Sequence, residues 1–104
     1  MGEREFWSDY VQKFEWDSNK DRINKKKHNI SFELAKRVFA DENRVVLPDI
    51  EHSNIEDRYI TIGMANELLF VVYTIRHGDT IRIISARLAT MEEKGFYYAS
   101  NFIS

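Results

Sequence analysis

Residues 58–63, 67–76 and 80–87 are rich in β-branched and aromatic side chains and run at a period of two, which predicts three strands. Met64-Ala65-Asn66 and His77-Gly78-Asp79 separate them by turn-length gaps, so the three are expected to pair as antiparallel hairpins. Upstream the period changes. Ser31 suits a helix cap, and Phe32, Ala35, Val38 and Phe39 after it fall on one helical face. An earlier helix is expected to run from a cap at Ser18 to about His28; it is polar nearly all round, with Ile23 its sole aliphatic residue. Asn29 then stands where a helix stop wants a left-handed residue. Phe14-Glu15-Trp16 reads as a short strand, Arg44 to Leu47 as another, and Pro48 as an edge position or a strand end. Residues 49–57 form an acidic loop, and Thr90 with Glu93 is a capping-box signature for a C-terminal helix, which Gly95 weakens by about 1 kcal/mol. The prediction is an α+β domain of two layers: two helices between residues 18 and 40 packed on an antiparallel sheet of about four strands, plus a C-terminal helix. Residues 1–13 are read as an extension and residues 14–104 as the domain.

Pairing Arg76 with Thr80 across the second turn sets Thr74 opposite Arg82, Val72 opposite Ile84 and Phe70 opposite Ala86. One face then carries Ile60, Ile62, Leu68, Phe70, Val72, Ile84 and Ala86, with Arg58, Arg76 and Arg82 at one end, and is expected under the two helices. The other carries Leu69, Val71, Tyr73, Ile81 and Ile83, with Thr61, Ser85 and Arg87 at its polar end. A one-residue bulge at the Gly78 turn would exchange the faces of Arg82 and Arg87.

Composition narrows the classes. At 104 residues the chain predicts one small domain; with no cysteine, neither disulfides nor thiolate zinc ligands hold it together. No apolar run approaches the roughly 20 residues that span a bilayer, and the acidic N-terminus is unlike a signal peptide, so a cytoplasmic protein without a membrane partner is expected. The net charge of −2 argues mildly against a general nucleic-acid binder. Yet residues 18–37 hold seven Lys/Arg against two acids, so the rest of the chain is about −7. Segregated charge of this kind points to a partner.

The strand arginines carry the candidate chemistry. Arg58, Arg76, Arg82 and Arg87 suit an RNA backbone, because a guanidinium fork binds phosphate bidentately. Arginines at strand ends more often pair with surface acids or cover the core with their stems. Among His28, His52 and His77, His52 is the best candidate for an acid or base, since His77 lies in a tight turn and His28 at a helix end. The acids around His52 lack metal-ligand spacing on a rigid element, so no metal is expected. Lys26 and Lys27, beside Lys25, are either an electrostatic footprint for RNA or a soluble helix end. Phe96, Tyr97, Tyr98, Phe102 and Ile103 are too many large apolar residues for one face of a terminal helix, which suggests a partner surface.

The ordered landmarks Phe14-Glu15-Trp16-Asp17, Asn24, Lys27-His28, Ser31-Phe32-Glu33-x-Ala35, Val38-Phe39-x-Asp41, His52-Ser53, Glu56-x-Arg58, Ile62-Gly63, Val72-Tyr73-Thr74-x-Arg76 and Ile81-Arg82-Ile83-Ile84-Ser85-Ala86-Arg87 resemble the BrnT family over about residues 14–98. That family is the toxin half of a bacterial type II toxin–antitoxin pair. The resemblance implies a RelE-like fold and an endoribonuclease that cleaves mRNA and stops translation, on or off the ribosome, with no cofactor. It also implies a cognate BrnA-like ribbon-helix-helix antitoxin, with DNA reached only through that partner. The catalytic candidates become Arg87, Arg76 and His52, and the RNA-binding ones Arg58, Arg82, Lys26 and Lys27. Asn66-Glu67, Ile75, Leu88, Met91 and Glu92 replace residues that are commonly glycine or charged in the family, removing positive charge beside the expected cleft. An alternative is therefore a weakened or inactive homologue that binds antitoxin and tunes repression.

Overall fold

A computed structural model describes residues 12–52 and 56–102. The order is β1 (Lys13–Glu15), α1 (Ser18–His28), α2 (Phe32–Lys36), a 3₁₀ turn (Arg37–Ala40), β2 (Val45–Pro48), a 3₁₀ turn (Ile50–His52), β3 (Tyr59–Ala65), β4 (Glu67–Arg76), β5 (Thr80–Leu88) and α3 (Met91–Phe102). The sheet has five strands in the order β1-β5-β4-β3-β2. It is mixed rather than antiparallel throughout, because β1 runs parallel to β5 while the other neighbours are antiparallel. The first strand starts at Lys13, one residue before the expected Phe14, with Lys13 opposite Thr80; residues 1–11 lie outside the described part.

Local chemistry explains most boundaries. Asp17, not Ser18, caps α1, its carboxylate accepting from the Asn19 and Lys20 amides at 2.8 and 3.2 Å. Asn29 closes that helix in the left-handed conformation (φ 60°), donating its N–H to the Lys25 carbonyl. Ser31 caps α2 through the Leu34 amide, and Asp21 of α1 accepts the Phe32 amide at 2.8 Å. The second helix is shorter than expected, tightening into the 3₁₀ turn after Lys36. Thr90 and Glu93 form the capping box of α3: the Thr90 amide donates to Glu93, and the Glu93 amide to the Thr90 hydroxyl.

The helices cover the opposite sheet face from the one expected. Phe32, Ala35 and Val38 pack with Ala65, Leu69, Val71, Tyr73, Ile81, Ile83 and Ala86. Both faces are apolar, so hydrophobicity alone does not choose. Room does: a Cβ on Gly63 would meet Val38 Cγ1 at 2.7 Å and Arg44 Cβ at 3.0 Å, so only a bare backbone admits the 3₁₀ turn there. The other face, with Ile62 and Leu68, is partly covered by Ala89 and Tyr97.

The β4–β5 register begins as expected, with Arg76 opposite Thr80 and Thr74 opposite Arg82, around a turn with positive φ at His77 and Gly78. It then slips. Val72 faces Ser85 instead of Ile84, and Phe70 faces Arg87 instead of Ala86. The extra residue is Ile84 in mid-strand, not a residue of the Gly78 turn. Beyond it the side chains exchange faces: Ala86 turns into the helix-covered core, and Ser85 and Arg87 turn out beside Phe70.

Candidate functional site

That slip assembles a concavity of about 410 Å³ on the sheet face opposite the two helices. Its floor is Ile60, Phe70, Val72 and Ile84; Arg58, Ser85 and Arg87 stand over it, and Asp49, Glu51 and His52 from the loop after β2 form one wall. Thr61, expected beside Arg87, is instead buried, donating its hydroxyl to the Val45 carbonyl and accepting from Arg44.

Arg87 is held from three sides. Its guanidinium carbon lies 3.9 Å from the centre of the Phe70 ring, a cation–π contact. Its two terminal nitrogens donate to the two carboxylate oxygens of Glu93, each at 2.9 Å, and Nη1 also reaches the Leu88 carbonyl at 3.1 Å. The Arg87 hydrogen bond, more than any other influence, holds the Glu93 carboxyl below the usual range, with burial opposing it and Thr90 assisting. The sequence marks Glu93 only as a helix cap. The hint missed is spacing: two residues, Ala89 and Thr90, separate β5 from α3, so the first turn of the helix must fold back beside the strand's last arginine.

His52 presents Nδ1 to both oxygens of Asp49, each at 3.1 Å, and its ring is largely solvent-facing. Asp49 is partly buried and also donates its backbone N–H to the Arg58 carbonyl. The concavity thus brings together three of the sequence-derived candidates, Arg87, His52 and Arg58. Arg76 and Arg82 share this face by register but lie nearer the hairpin turn. Arg82 donates to Glu15 of β1 at 2.9 Å. Arg76 Nε sits 3.3 Å from Glu56, an ion pair without a directed hydrogen bond from that buried nitrogen. Lys26 and Lys27 are exposed on α1 and do not line the concavity. Ser53 lies outside the described residues. Among the described residues, no group of three or more His, Asp or Glu side chains converges closely enough to hold a metal ion, and no helix is long and apolar enough to cross a membrane.

The fold is that of the crystal structure of the Brucella abortus ribonuclease toxin BrnT, which superposes with a TM-score of 0.61 over 78% of this chain and 100% of that one, at 24% identity. No curated protein sequence matches. The profile of the family described as "Ribonuclease toxin, BrnT, of type II toxin-antitoxin system" matches residues 16–93, from Trp16 before α1 to Glu93 in the first turn of α3. With three quarters of its length inside that profile, including every strand but β1, the chain belongs to the BrnT family of ribonuclease toxins of type II toxin–antitoxin systems.

Proposed function

We propose that this chain is an endoribonuclease that cleaves mRNA and stops translation without a metal, its scissile phosphate seated in the concavity against Arg87. The observation that carries the reading is the convergence of Arg87, Arg58 and the Asp49–His52 pair on one open sheet face. In that seat the ribose 2′-hydroxyl attacks the adjacent phosphorus, a 2′,3′-cyclic phosphate forms, and the bond to the 5′-oxygen of the next nucleotide breaks. His52, oriented through Nδ1 by Asp49, offers Nε2 for the proton of the attacking hydroxyl or for the leaving oxygen. Arg87 stabilises the charge that grows on the phosphoryl oxygens, and Arg58 adds to the field. Arg76 and Arg82 continue the row of cations along the same face and support the RNA backbone, with Lys26 and Lys27 as more distant attraction. The cognate partner is a BrnA-like antitoxin, which docks on the apolar residues exposed along α3.

Arg87→Ala is expected to lower RNA cleavage by about 10²–10³, the loss typical of one preorganised transition-state donor. It should abolish growth arrest on expression while the protein stays folded and binds antitoxin, and EDTA should leave wild-type cleavage intact. Undiminished toxicity in a folded Arg87→Ala protein contradicts the assignment. A second reading, a weakened homologue that mainly binds antitoxin, is favoured by the ion pairs that already occupy Arg87, Arg76 and Arg82. It requires that expression of the wild-type chain leave growth unaffected.

A further inference from the structure

The fork of Arg87 that would grip a phosphate is already filled. Both terminal nitrogens are bound to the paired oxygens of Glu93, with the guanidinium plane steadied on Phe70. A carboxylate in that position is a planar, two-oxygen anion standing where two phosphoryl oxygens would make the same contacts. Glu93 is in turn fixed by the Thr90 amide at the start of α3, so the anion is built into the helix cap. We infer that Glu93 is a built-in competitor that occupies the phosphate seat of Arg87 in the free protein, and that RNA binding requires its carboxylate to be displaced. The inference rests on the reading of Arg87 as the phosphate-binding arginine. The Phe70 contact, 3.9 Å from ring centre to guanidinium carbon, does not involve Glu93, so it still holds the arginine when the carboxylate leaves. Displacement need not unfold α3, whose body is tied down by Tyr97 donating to Asp41 at 2.7 Å and by Asn101 donating to the Asn43 carbonyl.

Glu93→Gln isolates the effect, because glutamine fills the same place in a capping box but neither carries the charge nor accepts a bidentate fork. The probe is a fluorescent single-stranded RNA with 2′-O-methyl riboses, which binds but cannot be cut. In a salt series Glu93→Gln should bind about fivefold tighter at moderate salt, with a salt slope steeper by about 0.7, the signature of one additional phosphate contact on a single strand. The gain should vanish when Glu93→Gln is combined with Arg87→Ala, since the cycle assigns it to that pair. Thr90→Ala, which weakens the same helix start but leaves the ion pair, should show no gain. Unchanged or weaker binding by Glu93→Gln overturns the inference, as does a gain that survives without Arg87 or appears equally in Thr90→Ala. Cleavage by the wild-type chain is scored separately. A chain that cuts no RNA while the Arg87-dependent gain stands loses the ribonuclease reading alone, and one that cuts RNA without any gain loses only this inference.

Discussion

Asn24 is the one buried residue of a helix that is otherwise solvated, and its side chain replaces a missing strand. β1 covers the edge of β5 only from Thr80 to Arg82, so the backbone further along needs other partners. Asn24 supplies them: its amide donates to the carbonyls of Ala86 (2.8 Å) and Ile30 (2.9 Å), and its oxygen accepts the Ala86 N–H at 3.2 Å. Asn24→Ala leaves Ala86 with an unmet donor and acceptor in a buried place, and should cost about 2–4 kcal/mol, measured by urea unfolding. Asn24→Asp should be no better, since a carboxylate cannot donate to either carbonyl. A loss below about 0.5 kcal/mol in both would mean that water reaches this edge.

Among elements, α3 is the one whose position matters most to the site, and it is joined to the body by few directed contacts. Tyr97, buried under the sheet, donates to Asp41 at 2.7 Å, while Asp41 also accepts the Met64 and Asn43 amides. Burial, then the Asp41 contact, pushes the Tyr97 hydroxyl up to about 12. Burial alone would raise the Asp41 carboxyl, but the hydrogen bonds from Tyr97 and the two amides outweigh it and hold the group below its ordinary value. A hydroxyl raised from 10.0 to about 12 on folding contributes stability that is complete below about pH 10 and is lost as pH climbs through about 12. Tyr97→Phe should therefore cost about 1.5–3 kcal/mol at neutral pH, the range for a hydrogen bond to a charged group, and the gap from wild type should close between about pH 10 and 12. A gap independent of alkaline pH would rule out the Tyr97–Asp41 hydrogen bond as its source. The outer side of α3 exposes Phe96, Tyr98 and Phe102 by about half or more, and Met91 by 82%. Replacing Tyr98 and Phe102 together by Ser should weaken antitoxin binding at least tenfold by titration calorimetry, a modest share of what aromatic anchors contribute at interfaces. Unchanged affinity would leave those rings as local packing, since Tyr98 and Phe102 also touch each other and Tyr97.

Across the whole molecule, two apolar sheet faces had to be given different tasks, one to the helices and one to a site. The alternation of residues 58–63, 67–76 and 80–87, the Ser31 and Thr90 caps and the left-handed Asn29 were legible because each depends on residues within a few positions of one another. The same locality made Arg87 and His52 visible as candidates, and the ordered landmarks, which resemble BrnT, agree with the profile over residues 16–93. What the sequence left open depends on residues far apart in the chain. The helix-covered face was settled where Val38 meets the bare backbone of Gly63, and the parallel place of β1 depends on β5, far along the chain. The bulge at Ile84 carries the largest consequence: a single extra residue in β5 moved Ser85 and Arg87 across the sheet to stand with Arg58 and His52. Strand periodicity does not reveal such a slip, because an inserted Ile reads as one more apolar residue in an apolar strand. Local propensity and pattern thus determined which elements form and which side chains are candidates for chemistry. Packing between distant segments decided which face each side chain meets, since only close approach in three dimensions distinguishes one apolar face from another.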